Sequence, residues 1–288
     1  MFAYLIKNKY IISKNFDKLL EYFIEAANNH NVDLQVVNNI EAIEIFSKKD
    51  FKRPDFVIFW DKDVKLAKYL ESIGIKVFNS SESIRLCDDK SLTYLSLNNL
   101  CLKQPKTVFS PLIYYHNLAA DDEYIDFILS HFSFPFVFKE CFGSFGQQVY
   151  LINSKEELID RIKKCDVWPF VIQEFIKESK GRDLRIYVVG DKVVGAMKRE
   201  NKNGDFRANI EIGGIASKYE ANELERDLAL KVAKELRLSF CGVDILFGKG
   251  DDRILCEVNS NAYFTKFNEI LGINVADLIL DHILNIIK

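Results

Sequence analysis

Apolar residues recur along this chain in two rhythms, one of period two or continuous and one near 3.6, and their alternation predicts the elements. FAYLI near the N-terminus is a continuous run of strand length, and residues 16–28 then align Phe16, Leu19, Leu20, Phe23 and Ala27 on one helical stripe. VDLQVVN reads as the next strand, PDFVIFW at 54–60 as an almost wholly apolar one, VKLAKYLESIG as a helix and KVFN as a short strand. Continuous apolar strands between helices imply a parallel sheet covered on both faces. A first α/β unit is therefore expected over residues 1–88. Its first strand is not followed by G-x-G-x-x-G, which argues against a dinucleotide site.

The pattern then changes toward α+β. Residues 89–100 read as a helix, 101–109 as a connection into a strand containing Pro105, and the region near 121–131 as another helix. FPFVFKECFGSFGQQVYLINS places two strands around a glycine-bearing loop; a helix at 155–165 and the strand WPFVIQEFI close a second unit, 89–175. In the third unit, 176–288, GRDLRIYVVGDKVVGAMKRE is a hairpin and ANELERDLALKVAKEL a helix. LSFCGVDILFGKGDDRILCEVN at 238–259 is a second hairpin, with a last helix at 273–287. No tandem repeat or low-complexity tract interrupts this order.

Composition narrows the function classes. At 288 residues the chain exceeds the usual single-core size, so two or three modest domains are the default. It is 48% hydrophobic and 28% charged, as expected of a folded soluble protein, with 23 Phe and only 5 Pro. A net charge of −3 argues against a nucleic-acid-coating surface. The six cysteines form no C-x-x-C pair and the four histidines show no ligand spacing, so reduced cysteines in or near the core are expected. The N-terminus has too short an apolar run for a signal peptide, and no 18-residue apolar segment supports a membrane span. The expectation is a cytoplasmic protein with neither nucleic-acid nor membrane partners.

Candidate chemistry concentrates in the second and third units. In the 238–259 hairpin, Glu257 and Asn259 are two apart and share a strand face, while the GKGDD turn returns that strand beside Asp244. Three oxygen-bearing groups can thus converge on a hard cation such as magnesium; the plain alternative is polar residues facing solvent. Lys139 interrupts the apolar strand FVFKE and calls for an anionic partner, or else marks an edge strand or an ion pair. Lys90 can neutralise phosphate or be an exposed helix charge, and Gly143, Ser144, Phe145 and Gly146 can form a nucleotide lid or a simple turn. Glu174, Phe175 and Ile176 can receive an adenine at a unit junction and Asp183 can approach a ribose, although strand-end, core and cross-strand roles compete. Arg199, Arg207 and Asn209, the last two expected on one strand face, supply donors for a phosphate or a solvated surface.

These segments together resemble the RimK-type branch of the ATP-grasp family of ATP-dependent carboxylate–amine ligases. The matching segments are CDDK, FVFKECFGSFGQQVYL, VIQEFIKESKGRDLRIYVVGDKVVGAMKRE, GDFRANIEIGG, CGVDILF and CEVNSN, in that order over roughly residues 80–288. The resemblance implies a three-domain ATP-grasp fold: an N-terminal parallel α/β domain, a central lid and a C-terminal antiparallel-sheet domain. It implies that Lys90 and Lys139 contact ATP phosphates, with Ser144 in the lid, that Glu174, Phe175 and Ile176 receive adenine, and that Asp183 positions the ribose. Asp244, Glu257 and Asn259 would hold a pair of magnesium ions, manganese substituting, while Arg199, Arg207 and Asn209 would organise phosphate and the activated carboxyl. The expected partners are a carboxylate substrate and an amino-acid acceptor, with a peptide or carrier protein as a further candidate, in a homodimer or homotetramer.

The implied chemistry is attack of a carboxylate on the γ-phosphate to give an acyl phosphate, which an amine then converts to an amide with release of ADP and phosphate. Two departures bear on substrate. NSNAYFTKFNEILG replaces the family's Pro/Gly-bearing loop, and EIGG at 211–214 lacks a basic residue common in ribosomal-protein-modifying relatives. Tyr263, Phe264 and Lys266 can then line an acceptor region, or belong to a packed loop. Competing readings are a catalytically silent ATP-binding regulator and a kinase that stops at phosphoryl transfer.

Overall fold

A computed structural model of the chain describes residues 1–11, 14–116 and 120–288. Near the N-terminus, β1 (Phe2–Lys7), β2 (Asp33–Asn38), β3 (Phe56–Trp60) and β4 (Val77–Phe78) form a parallel sheet in the order β2-β1-β3-β4. α1 (Lys14–Asn29) covers one face; α2 (Asn39–Phe46) and α3 (Val64–Ser72) cover the other. α2 is absent from the sequence-based reading. Asn38 starts it by accepting the Glu41 amide while the Glu41 carboxylate accepts the Asn38 amide, a reciprocal cap written in N-x-x-E.

β5 (Thr107–Phe109), β6 (Phe136–Glu140), β7 (Val149–Ile152) and β8 (Phe170–Glu174) make a second, antiparallel sheet in the order β5-β8-β6-β7. α6 (Asp122–His131) and α7 (Lys155–Cys165) close its core around Phe136, Phe138 and Phe170. Pro105 precedes β5 rather than lying in it, consistent with its missing donor.

The third sheet is antiparallel: β9 (Arg182–Val189), β10 (Lys192–Glu200), β11 (Ile215–Tyr219), β12 (Phe240–Phe247) and β13 (Arg253–Asn259), in the order β11-β10-β9-β12-β13. α8 (Glu223–Glu235) packs on one face, with Leu228, Val232 and Leu236 against Leu184, Ile186 and Val243. On the other face, α9 (Thr265–Leu271) and α10 (Val275–Ile287) join α1 in a core that runs from the first sheet into the third. Trp60 stacks on Phe240 at 5.4 Å within that core, so the first and third sheets share one core.

Besides α2, β11 is also absent from the sequence-based reading, and two further segments differ from it. Residues 81–100 are α4 (Ser81–Asp88), α5 (Lys90–Ser96) and a 3₁₀ turn, and Cys87 and Leu97 are buried against the third sheet's core. Residues 263–271, expected as a loop, contain α9, with Phe264 wholly buried among Phe23, Trp60 and Tyr187. Lys266 points away and pairs with Glu269, so only Tyr263 of the three candidate acceptor residues reaches a cavity. Cys101 is exposed, unlike the buried Cys87, Cys141, Cys165 and Cys241. No single helix is long and apolar enough to cross a membrane among the described residues.

Candidate active site

The register of β12 on β13 places Asp244 opposite Glu257 and Gly242 opposite Asn259, so the hairpin brings all three oxygen-bearing groups to one region. Asp244 is not free, however. Its Oδ1 accepts Arg185 Nε at 2.7 Å and its Oδ2 accepts Arg185 Nη2 at 2.7 Å, with Arg199 Nη2 also 2.9 Å from Oδ2. Arg199 in turn donates from Nε and Nη2 to both oxygens of Asp183 at 2.7 Å. Cross-strand pairing produces this line: Arg199 on β10 sits beside Asp183 on β9, and Arg185 on β9 sits beside Asp244 on β12.

Burial resists ionisation at Asp244, but Arg185 and Arg199 outweigh it and hold the carboxyl below its ordinary value. At Asp183 burial prevails over Arg199 and raises the carboxyl. Asp183 accepts from Arg199 and also lines the cavity between the second and third sheets. Arg199, 3% exposed, is likewise buried and bridges Asp183 and Asp244 at the same cavity wall. Arg185 escaped the sequence-based site assignment; its signal was the i, i+2 spacing from Asp183 on one strand.

A cavity of about 100 Å³ lies between the second and third sheets. Its walls include Lys139, Glu174, Phe175 and Ile176 on one side and Asp183, Arg199, Arg207, Asn209, Asp244 and Glu257 on the other. Lys139 is 8% exposed, and its Nζ has Cys256 Sγ at 3.8 Å as its hydrogen-bond acceptor. A buried ammonium with no carboxylate partner among the described residues has capacity for an anionic ligand. Lys90, at the start of α5 and capped by Asp89, has its Nζ 4.0 Å from Glu257 Oε1 and 3.4 Å from the Cys141 carbonyl oxygen. Burial lowers the Lys90 ammonium from its ordinary value; Glu257 opposes that shift, while Lys62 and Lys139 add to it.

A larger cavity, about 210 Å³, adjoins the first and shares Gly146, Asn209 and Glu257 with it. Ser144 and Asn259 face this second space rather than the first, as do Asn8, Asp61 and Tyr263. The glycine loop covers the boundary. Phe145 takes a left-handed φ of 61° and meets the Tyr263 ring edge-on at 5.4 Å. Arg207 Nη1 donates to the Gly146 carbonyl at 2.7 Å, and Lys62 Nζ reaches the Gly143 carbonyl at 3.4 Å. Gly146 itself has φ 72°, and a Cβ there would lie 2.8 Å from Asn209 Oδ1. Arg207 and Asn209 occupy an irregular segment, not the expected strand, because Asp205 accepts the Arg207 amide and side chain in a tight local turn.

The residues present suit a hard divalent cation. Among the described residues no three His, Cys, Asp or Glu side chains cluster, so the candidate set is two carboxylates and the Asn259 amide, all oxygen donors. An ionised carboxylate offers about four lone-pair sites. Three contacts from Arg185 and Arg199 leave Asp244 with room for one more partner. Cys141, wholly buried beside Lys90, is no nucleophile: burial pushes its thiol up to about 12.

A parallel sheet sharing a core with an antiparallel one, with a second antiparallel sheet closing a cleft lined by lysines, arginines and carboxylates, defines the ATP-grasp architecture. D-alanine–D-alanine ligase of Bacillus anthracis shares it, with TM-score 0.74 over 100% of this chain and 99% of that one at 19% identity. The sequence matches the RimK-like ATP-grasp domain over residues 88–283. It is 31% identical to human N-acetylaspartylglutamate synthase A, covering 79% of this chain and 57% of that protein. It is 33% identical to a "probable alpha-L-glutamate ligase" of Xanthomonas oryzae, covering 75% and 71%. The chain belongs to the RimK-like ATP-grasp family. It is accordingly an enzyme of the ATP-grasp ligase class, which forms carbon–nitrogen bonds.

Proposed function

We propose that the protein joins an amino acid to a carboxylate through an acyl phosphate, releasing ADP and phosphate. The observation that carries this reading is the pair of adjoining cavities that share Gly146, Asn209 and Glu257. One is lined by both cations and carboxylates and lies between two sheets, as a nucleotide with its metal requires; the other is polar and open to the first sheet, as a second substrate requires. Glutamate is the first amine to test, because the two sequence relatives named above, though not the structural neighbour, carry glutamate in their names.

In this scheme Glu174, Phe175 and Ile176 seat the adenine at the end of β8, and Lys139 and Lys90 hold the phosphates. Asp244, Glu257 and Asn259 would hold magnesium, which neutralises charge on the transferring phosphoryl group. Arg207 and Asn209 lie at the shared wall, where donors can orient the γ-phosphate and the carboxylate in line. Asp183 and Arg199 act behind them, fixing Asp244 and Arg185. The 143–146 loop excludes water from the acyl phosphate, and its contacts with Arg207, Lys62 and Tyr263 hold it down. No side chain needs to become acylated, since ATP itself activates the carboxylate. We place the unit boundaries near residues 88 and 175, with residues 89–102 as the strap joining the lid to the third sheet.

The test supplies ATP, magnesium, amino acids and a panel of carboxylates, one of them ¹⁸O-labelled, and measures products by mass. The expected result is an amide with ADP and ¹⁸O in the released phosphate. AMP with pyrophosphate would rule out the acyl-phosphate route, and a stable phosphorylated product formed without amine would make the protein a kinase.

A further inference from the structure

The larger cavity opens at a distinctive point of the first sheet. In the order β2-β1-β3-β4, successive connections leave β1 and β3 toward opposite faces, with α1 on one side and α3 on the other. Ligands of open parallel sheets sit in the crevice at the carboxyl ends of two such strands. The residues that follow β1 and β3 are Asn8 and Asp61, and both line the cavity.

Asp61 is 4% exposed, yet among the described residues no cation pairs with it. Its oxygens accept Asn8 Nδ2 at 3.0 and 3.2 Å and the Lys62 amide at 2.7 Å, all neutral donors. The neighbouring cations are engaged elsewhere: Lys62 Nζ lies 2.7 Å from Asp88, and Arg185 is bound to Asp244. A buried carboxylate without a counter-charge is costly unless a cation completes it. The same wall carries further unmet hydrogen-bonding capacity. Trp60 Nε1, Asn259 Nδ2, Asn261 Oδ1 and Tyr263 Oη are buried without protein partners, and all four residues line this cavity. Asn261 Nδ2 also donates to the Asp61 carbonyl at 2.7 Å, tying the strand end to the segment that follows Asn259.

We propose that Asp61, braced by Asn8, anchors the ammonium group of a free amino-acid substrate in this cavity. The assignment rests on the ligase reading and specifies one of its substrates by chemistry: a primary ammonium is required, and an N-acylated amino acid is refused. A compact cation with several N–H donors matches a carboxylate held at a strand end. Asn261 and Tyr263 line the wall beside it.

The experiment uses the full chain with magnesium and a non-hydrolysable ATP analogue, and titrates single L-amino acids, glutamate first, by calorimetry. At least one should bind wild type, and its N-acetyl derivative should not. Asp61→Asn should weaken that binding at least about tenfold, as expected on losing one member of a desolvated charge pair, while analogue affinity is unchanged. Equal binding of the N-acetyl form, equal affinity in Asp61→Asn, or no amino acid binding to a protein that binds the analogue would each overturn the assignment. The N-acetyl comparison uses wild type alone and stands even if Asp61→Asn misfolds. Failure of the analogue to bind would count instead against the ligase reading, and amino-acid binding is scored separately in that case.

Discussion

At the scale of single residues, the alternating line Arg185–Asp244–Arg199–Asp183 sets how the Asp244 carboxylate is held. Each carboxylate is desolvated and each guanidinium spans two strands, so removing one member strands a charge. Arg199→Met should lower unfolding stability by about 3–5 kcal/mol, read by urea denaturation. A change under about 1 kcal/mol, the range of exposed pairs, would show the line to be solvent-screened. Glu257→Gln separates chemistry from stability, because it removes an anionic oxygen with little change of volume. We expect unchanged unfolding and weakened productive use of magnesium-ATP, so turnover near wild type across a magnesium titration would remove Glu257 from the cation site. Lys139→Met should cost about 10²-fold in turnover by deleting a fixed cation at the phosphates. Because that ammonium is buried against a thiol, the same change should not destabilise the empty protein.

Among the elements, the 141–148 segment between β6 and β7 does most to separate the two cavities. It is held from three directions, by Arg207, by Lys62 of the first sheet's β3–α3 connection and by Tyr263 after β13. Gly146→Ala forces a Cβ toward Asn209 at a left-handed backbone position and should destabilise the closed loop by upward of about 1 kcal/mol. Hydrogen exchange gives the reading: amides 143–148 of wild type should gain protection when the ATP analogue binds, and Gly146→Ala should lose most of that gain. Identical protection with and without nucleotide would show that this loop is not a lid. The β12–β13 hairpin behaves differently, since its outer strand is anchored by the Leu255 amide to the Lys103 carbonyl and its inner strand by β9.

For the whole molecule, the distribution of cores decides what moves. One core spans the first and third sheets through Trp60, Phe240, Phe264 and α10, whereas the second sheet has its own around Phe136, Phe138 and Phe170. The first and third sheets should therefore unfold together and the second independently. Phe264→Ala should destabilise the shared core by about 3–5 kcal/mol while exchange protection of β6 and β8 stays as in wild type. Equal loss of protection in the second sheet would mean that all three unfold as one unit.

Periodicity alone determined most of the elements, because strand alternation, helical stripes and turn residues are local properties. The strands of the second sheet, the two hairpins of the third, the pairing of Asp244 with Glu257, and the buried Lys139 were legible, as was the family, whose motifs are short and ordered along the chain; β11 was not, and a strand was expected at 207–209 instead. Partner choice was not legible, because it depends on which strands become neighbours. Nothing local says that Arg199 will spend its guanidinium on Asp183 and Asp244, that Leu97 will pack on the third sheet, or that Phe264 will plug the shared core. Asn8 and Asp61 show the limit most clearly. Each is an unremarked polar residue after an apolar strand, 53 positions apart, and only the order β2-β1-β3-β4 sets them side by side at the mouth of a cavity.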